Sequence, residues 1–168
     1  LQISRVLYAN EQAHFKRVEY LRFPLKLGQD VFTQKQVSEK KEQKLIKLLH
    51  AFKLLIDLYG VDDYMICATS ALREAKNQLE IVQRIQEELG LSVEIIDGEQ
   101  EATLIDKAIR PLLDDHNYLH IDVGGGSTEI SFYTGQEKVA ACSFKVGTIK
   151  LLENDDVEPA WIEMKTWI

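Results

Sequence analysis

Amphipathic helical segments alternate with short apolar strands along the middle of the chain, and this alternation is what most restricts the fold. Apolar residues recur at three- and four-residue steps between Ser38, a residue type typical of helix N-caps, and Gly60, which predicts a long helix. Two further helices are predicted over 77–89 and 99–113, and the stretches DYMICATS, SVEII and YLHIDV indicate strands. Strands that alternate with helices favour a parallel sheet with helices on both faces. An α/β protein is therefore predicted.

The two ends of the chain predict antiparallel strands. Residues 1–9 and 17–23 alternate apolar and polar side chains, so we expect two strands there, followed by a loop over 25–38 with Gly28 and Asp30 as turn formers. Further on, TEISFYT and KVAACSFKV should form a hairpin about the turn Thr134-Gly135-Gln136, and a last helix should begin near Thr148.

Composition excludes several classes of protein. The 168 residues suit one domain with a sizeable core, and a net charge of −7 argues against a nucleic-acid-binding module, which usually carries a basic face. No apolar run approaches the roughly 20 residues of a membrane span, and no signal peptide opens the sequence. Cys67 and Cys142 lie in apolar strand-like runs, which favours buried, reduced thiols over a disulfide. We expect a cytoplasmic protein that binds neither nucleic acid nor membranes.

Three consecutive glycines interrupt a strand pattern in HIDVGGGSTEISF, residues 120–132. Glycine weakens strands, so the chain must turn sharply there or something must approach its backbone closely. Successive N–H groups without Cβ atoms can surround a phosphate oxygen, and the flanking Asp122 and Glu129 could hold Mg²⁺ directly or through water. The alternative is a glycine-rich hairpin with nothing bound, although three glycines exceed what a tight hairpin requires.

Two more polar clusters follow predicted strands, in ATSALREAKN and DGEQEA. The ends of parallel strands meet at one edge of a sheet, so the three clusters should form a shared site. Arg73, behind Thr69 and Ser70, suits bidentate phosphate binding, and its alternative is a surface pair with Glu74 or Glu80.

Glu99 and Glu101 begin the helix that follows DG. Carboxylates at a helix start are favoured by the helix dipole, so they can be simple capping charges. One of them can instead orient or deprotonate a water that attacks phosphorus. The residues alone leave these two interpretations open. Zinc enzymes and serine hydrolases are disfavoured, because the four histidines lack zinc-site spacing and G-x-S-x-G is absent.

The chain closely resembles the exopolyphosphatase/guanosine pentaphosphate phosphatase (Ppx/GppA) family. Four blocks carry the resemblance, in the family's order and at its separations: ATSALREAKN, IIDGEQEATLI, HIDVGGGSTEI and VGTIKL. The resemblance extends over essentially the whole chain. It implies a ribonuclease-H-like lobe of the sugar kinase–Hsp70–actin superfamily, with a mixed sheet and helices on both faces.

The resemblance also implies roles for individual residues. Glu101 matches the catalytic carboxylate, which acts as general base on the hydrolytic water. Asp122 and Glu129 match acidic residues associated with Mg²⁺, the implied cofactor, and with the reacting phosphate. The implied phosphate-binding residues are Arg73 of the ATSALR block and, in the glycine loop, Gly124, Gly125, Gly126 and Ser127.

The chain departs from the family pattern in three respects. Relatives begin with a strand and a first phosphate loop of the type DxGSNS, which the sequence lacks. Residues 1–150 are therefore interpreted as an N-terminal actin-like lobe without that strand and loop, and residues 151–168 as the start of a connection toward an absent second lobe. Gln100 stands where many relatives have glutamate. Transition-state stabilisation needs groups from several loops, so these residues alone should show weak or no turnover.

Three functions are consistent with the sequence. The first is a phosphoanhydride hydrolase that uses Mg²⁺ to release the terminal phosphate of polyphosphate or the 5′ γ-phosphate of guanosine pentaphosphate, and a homodimer of the full-length protein is also expected. The second is a kinase or ATPase of the same superfamily. The third is a non-catalytic module that senses polyphosphate or an alarmone. Glu101 favours the hydrolase over the sensor.

Overall fold

The computed structural model describes residues 1–9, 12–152 and 157–168. Within these ranges there are seven strands: β1 (Gln2–Ala9), β2 (Gln12–Tyr20), β3 (Cys67–Ala68), β4 (Glu94–Ile95), β5 (Asn117–Val123), β6 (Thr128–Thr134) and β7 (Glu137–Phe144). The same ranges contain seven α-helices: α1 (Leu27–Gln34), α2 (Glu39–Tyr59), α3 (Ser70–Arg73), α4 (Gln78–Leu89), α5 (Gly98–Ile109), α6 (Thr148–Leu152) and α7 (Glu158–Trp167). A 3₁₀ turn, Arg110–Leu112, extends α5. No helix in these ranges combines the length and apolarity needed to cross a membrane.

The strands pair in both orientations, which confirms the predicted α/β class with mixed strand directions. β1 and β2 form an antiparallel hairpin, β3 and β4 pair in parallel, and β5, β6 and β7 form an antiparallel sheet in that order. Within the described residues the hydrogen bonds therefore connect three small sheets, whereas the strand pattern predicted one. The parallel pair is only two residues long, so the packing of helices determines how these sheets are arranged.

The predicted ends of α2 and the predicted end of α4 are confirmed. Ser38 precedes α2 in extended conformation, and Gly60 ends it with φ of 59°. Gly90 ends α4 with φ of 67°, in the left-handed region that glycine adopts without a steric penalty. The Ser38 hydroxyl does not cap its own helix but donates to the Asp30 carboxylate, which ties α1 to the start of α2.

The loop predicted over 25–38 is wrong, because residues 27–34 form helix α1. Gly28 and Asp30 lie inside this helix instead of forming turns, and Val31 and Phe32 are 0% and 3% exposed. A short helix has little intrinsic stability, so burial of these two side chains decides its conformation.

One other boundary also differs from the prediction. The second strand covers Gln12–Tyr20 instead of 17–23, because the hairpin closes early and extends its pairing as far as Gln2 with Tyr20. The helix predicted to begin near Thr148 is confirmed as α6, and helix α7 follows within 157–168. It packs on the antiparallel sheet through Trp167, whose ring meets Phe144 edge to face at 5.8 Å.

Two hydrophobic clusters form the core in the described residues. The larger one joins side chains from α1, α2, α3 and α4 to the parallel strand pair, and its fully buried members include Val31, Ile81 and Ile85. The smaller one contains Ile130, Phe144, Val146 and Met164. The polar segment that follows β3 contributes Leu72 and Ala75 to the larger cluster, which anchors that segment.

The prediction of buried thiols is wrong for Cys67 and only partly correct for Cys142. Both cysteines are free, as expected, but Cys67 is exposed and Cys142 is half-buried. β3 pairs with β4 alone in the described residues, so no neighbouring strand covers its other edge. The apolar run around Cys67 predicted burial, but strand β3 is only two residues long and, among the described residues, is not covered by neighbouring strands on both edges.

We predict that Phe32→Ala lowers the free energy of unfolding by about 3–5 kcal/mol, because the mutation leaves a cavity where the buried ring packs. Urea denaturation measures the change. Phe23→Ala is the matched control, since Phe23 is 58% exposed and its truncation should cost less than about 0.5 kcal/mol. Equal losses in the two variants would contradict the packing role assigned to Phe32.

Candidate functional site

The glycine turn, residues 124–127, connects β5 to β6. The Gly124 N–H donates to the Ser127 carbonyl at 2.9 Å and closes the turn. Within the described residues the N–H groups of Gly125, Gly126 and Ser127 have no protein acceptor. Consecutive unpaired N–H groups in a turn form a concave site for an anion. The turn is therefore able to bind a phosphate oxygen.

Contacts on the protein side explain why the turn contains glycines. A Cβ atom on Gly126 would lie 2.6 Å from the Phe32 ring, and one on Gly125 would lie 3.0 Å from Ile149 Cδ1. On Gly147 it would lie 2.5 Å from the backbone of Gly125 and Gly126. The 2.5 Å contact with backbone excludes a side chain at Gly147, and a side chain at Gly126 would displace the Phe32 ring. At Gly125 the neighbour is the end of the Ile149 side chain, which needs to move by only a few tenths of an ångström.

Backbone conformation does not require these glycines. The glycines with positive φ in the described residues are Gly60, Gly90 and Gly135. The sequence suggested that bare backbone serves phosphate access, and the structure adds an internal reason, the close packing of α1 and α6. Hydrogen bonds fix helix α6 to the turn, among them those from Thr148 N to the Gly124 carbonyl and from Ile149 N to the Gly125 carbonyl, both 2.9 Å.

Sequence reasoning gave no site role to Phe32, Gly147 or Ile149. The VGTIKL block, residues 146–151, was a usable signal for the last two. Phe32 had none, because its segment was predicted to be a loop.

Asp122 and Glu129 lie directly opposite one another on β5 and β6. Directly paired residues project from the same face of an antiparallel sheet, so these two carboxylates are neighbours. Ser143 on β7 donates to Glu129 Oε1 at 2.9 Å, which orients that side chain. No group of three or more histidine, cysteine or acidic side chains suited to a metal occurs in the described residues.

Glu101 is held in the first turn of α5 by a capping box. Asp97 Oδ1 accepts from the Gln100 N–H at 2.8 Å, and Gln100 Oε1 accepts from the Asp97 N–H at 3.0 Å. These reciprocal bonds satisfy two otherwise unpaired donors at the helix start. Gln100, noted only as a departure from the family pattern, thus has a structural role.

The Arg73 guanidinium contacts the second polar cluster. Its Nη1 donates to the Ile96 carbonyl at 2.5 Å and lies 3.4 Å from Glu101 Oε2. Pairing with Glu74 or Glu80, the alternative raised by the sequence, is not observed among the described residues. Arg73 therefore joins the end of α3 to the start of α5.

Burial raises the pKa of Glu101 above its usual value, and the negative charge of Glu129 contributes in the same direction. The positive charge and hydrogen bond of Arg73, and a hydrogen bond from Thr69, oppose this rise in pKa without cancelling it. Desolvation penalises the ionised carboxylate. This electrostatic contribution indicates that Glu101, at the start of α5, lies near Glu129 on β6.

The three polar clusters predicted to converge are therefore adjacent. Glu101 interacts with Arg73 and, electrostatically, with Glu129, and Asp122 and the glycine turn adjoin Glu129 along the sheet. Glu99 is exposed and makes no contact with this group in the described residues. The individual roles of the site residues stay predictions.

Comparison with known proteins identifies similar chains. A model described as the Ppx/GppA phosphatase family matches residues 6–157. A bifunctional 3-dehydroquinate synthase/phosphatase from Fusobacterium nucleatum is 30% identical over 91% of this chain and 24% of its own length. Exopolyphosphatase 1 from Mycobacterium tuberculosis is 27% identical over 87% of this chain and 43% of its own. The chain thus spans less than half the length of these two relatives.

Solved structures show the same fold. The PPX-GPPA enzyme of Aquifex aeolicus has a TM-score of 0.71 at 30% identity and covers 91% of this chain and 51% of its own. An exopolyphosphatase from Cytophaga hutchinsonii has a TM-score of 0.76 at 25% identity and covers 99% of this chain and 55% of its own. The actin-like α/β fold expected from the sequence is confirmed.

We predict that Gly147→Ala lowers the free energy of unfolding by about 1–3 kcal/mol, because its Cβ forces the glycine turn away from α6. Gly98→Ala is the matched control, since a Cβ atom on Gly98 would have no neighbouring atom within 4 Å and alanine favours helix. Urea denaturation of both variants checks this. A Gly147→Ala variant as stable as wild type would show that the turn and α6 do not pack closely.

The pKa of Glu101 predicts a pH-dependent effect of Glu101→Gln on stability. The raised pKa means that the folded state holds this proton more tightly, so wild-type stability falls as pH rises from the unfolded value, about 4.3, through the folded one. Glutamine does not ionise, so Glu101→Gln should be more stable than wild type at pH 7, with no such advantage below about pH 4. Denaturation across pH measures the difference. A variant less stable at pH 7 would contradict the assignment.

Proposed function

The chain belongs to the Ppx/GppA phosphatase family, and we propose that the whole protein is a phosphoanhydride hydrolase that releases the terminal phosphate of inorganic polyphosphate. One observation carries the proposal: Glu101, a partly buried carboxylate 3.4 Å from Arg73, interacts electrostatically with Glu129 on the strand that follows the glycine turn and its unpaired N–H groups. A general base and a phosphate cradle are the two parts that this reaction requires from the protein.

The glycine turn is proposed to bind the terminal phosphate. The N–H groups of Gly125, Gly126 and Ser127 are the donors, and they are fixed in place by the packing of Phe32 and Gly147 behind the turn. Preorganised donors need no rearrangement as charge develops on the phosphoryl oxygens. Arg73 adds further donors, because its contacts with Ile96 and Glu101 both use Nη1.

Glu101 is proposed to act as the general base. It takes a proton from water as the water oxygen bonds to the terminal phosphorus, and the bond from that phosphorus to the bridging oxygen breaks. The products are inorganic phosphate and a polyphosphate one unit shorter. Because its pKa is raised toward neutrality, Glu101 accepts a proton more readily than an ordinary glutamate does.

Mg²⁺ is the proposed cofactor, and Asp122 and Glu129 are the residues that would hold it. Mg²⁺ is commonly bound by one or two carboxylates together with water and substrate phosphates, so this opposed pair fits it. Two like charges directly opposite are otherwise unfavourable, and a divalent cation offsets that repulsion. When bound, the ion supplies charge neutralisation for the phosphate oxygens.

Polyphosphate is favoured over guanosine pentaphosphate by the names of the relatives. The proteins of M. tuberculosis and C. hutchinsonii are both called exopolyphosphatases. Guanosine pentaphosphate is the second candidate substrate, because the matched family model covers both activities by name. Dimer formation and cytoplasmic location stay predictions.

The proposal is tested by phosphate release from each substrate by the whole protein, with and without Mg²⁺. Release from polyphosphate that depends on Mg²⁺ is the expected result. Binding without turnover would favour the non-catalytic sensor, and transfer of phosphate to or from ADP would favour the kinase or ATPase. Either outcome would overturn the hydrolase.

We predict that Glu101→Gln lowers kcat by at least about 100-fold, the usual contribution of a positioned general base. Polyphosphate affinity should stay within a few-fold of wild type, because the carboxylate acts on water and not on the ligand. Glu99→Gln is the matched control, since Glu99 is an exposed carboxylate in the same helical turn and its kcat should be unchanged. Near-normal turnover by Glu101→Gln would show that Glu101 is not the general base.

A further inference from the structure

Lys150 is a nearly buried lysine beside the glycine turn. Its side chain is only 13% exposed, although lysine is seldom buried unless it is paired. Its backbone N–H donates to the Gly125 carbonyl at 3.3 Å, so the residue is attached to the turn through its main chain. None of the roles described above uses its charge.

The Lys150 ammonium lies between an aromatic ring and a single carboxylate. Its nitrogen is 5.0 Å from the centroid of the Phe32 ring, a cation–π distance. It is 3.7 Å from Glu74 Oε1, which is longer than an N–H···O hydrogen bond. The pair with Glu74 is therefore a loose electrostatic one, and Glu74 itself is exposed.

Phe32 connects this ammonium to the anion-binding turn. The ring that Lys150 approaches is also the ring whose edge would lie 2.6 Å from a Cβ on Gly126. The Phe32 ring therefore lies between the positive charge and Gly126 of the turn. Because the space between them is filled by protein and not by water, the field of the ammonium is weakly screened there.

We propose that Lys150 is a positioning cation of the glycine turn, which strengthens phosphate binding through its field without touching the phosphate, and that Glu74 partly offsets it. The inference rests on the proposed function, since it assumes that phosphate binds at the turn. A purely structural ion pair is the competing explanation. The two explanations predict different changes in phosphate affinity. If the pair is purely structural, loss of Lys150 or of Glu74 should weaken binding. If the field of Lys150 matters, loss of Lys150 should weaken binding and loss of Glu74 should strengthen it.

The test is the affinity of the whole protein for tripolyphosphate, measured by titration calorimetry at low salt. Lys150→Met should weaken binding about 10-fold, which corresponds to about 1.4 kcal/mol. Lys150→Arg, which keeps the charge, should stay within about 2-fold of wild type. Glu74→Gln should tighten binding about 3-fold, because it removes the offsetting negative charge.

Lys145→Met is the matched control, because Lys145 is exposed on the connection that leads to α6 and should not affect affinity. Circular dichroism confirms that each variant is folded. If Lys150→Met does not fold, Glu74→Gln, at an exposed position, still distinguishes the two explanations by whether tripolyphosphate binds more tightly or more weakly. Weaker binding by Glu74→Gln, or wild-type affinity in Lys150→Met, would overturn the inference alone. A wild-type protein that binds no tripolyphosphate would overturn the proposed function as well.

Discussion

The site depends on the close approach of two backbones and one ring behind the glycine turn. Gly147 lies so near Gly125 and Gly126 that no side chain fits between them, and Phe32 occupies the space where Gly126 would carry a Cβ. Close packing of this kind leaves a segment few alternative positions. The position of the turn is thereby fixed before any ligand arrives, so binding does not have to order it.

The proposed catalytic carboxylate is held at a cost to stability. Glu101 loses solvation where it faces Glu129, and the contact with Arg73 does not fully compensate, so its pKa is raised. A fold selected for stability alone would place a neutral side chain there. The capping box of Asp97 and Gln100 supplies local stability to the same helical turn, which helps α5 keep the desolvated residue in place.

The long amphipathic helices α2 and α4 were predictable from the sequence, because their apolar residues recur with helical spacing and a glycine, Gly60 or Gly90, ends each helix. The four blocks that resemble the family identified the candidate site residues, because each block lies at or after the end of a strand. Helix α1 was not predictable, because its eight residues have only a weak intrinsic preference for helix. Their conformation depends on the burial of Phe32 against Gly126, which is distant in sequence. The pairing of Arg73 with Glu101 was missed for a related reason, because the arginine has nearer carboxylates in sequence that it does not contact.

The charge of the molecule poses a physical problem that the site must solve. The chain has a net charge of −7, and three carboxylates, Glu101, Asp122 and Glu129, adjoin the turn proposed to bind a polyanion. Arg73 lies on one side of this group and Lys150 close to the turn, so the nearby cations number fewer than the anions. Unpaired backbone donors carry no counter-charge that must be neutralised when the ligand leaves. A glycine turn with one nearly buried cation close by is therefore a suitable way to attract phosphate in an acidic protein, and a divalent ion held by Asp122 and Glu129 would supply further positive charge.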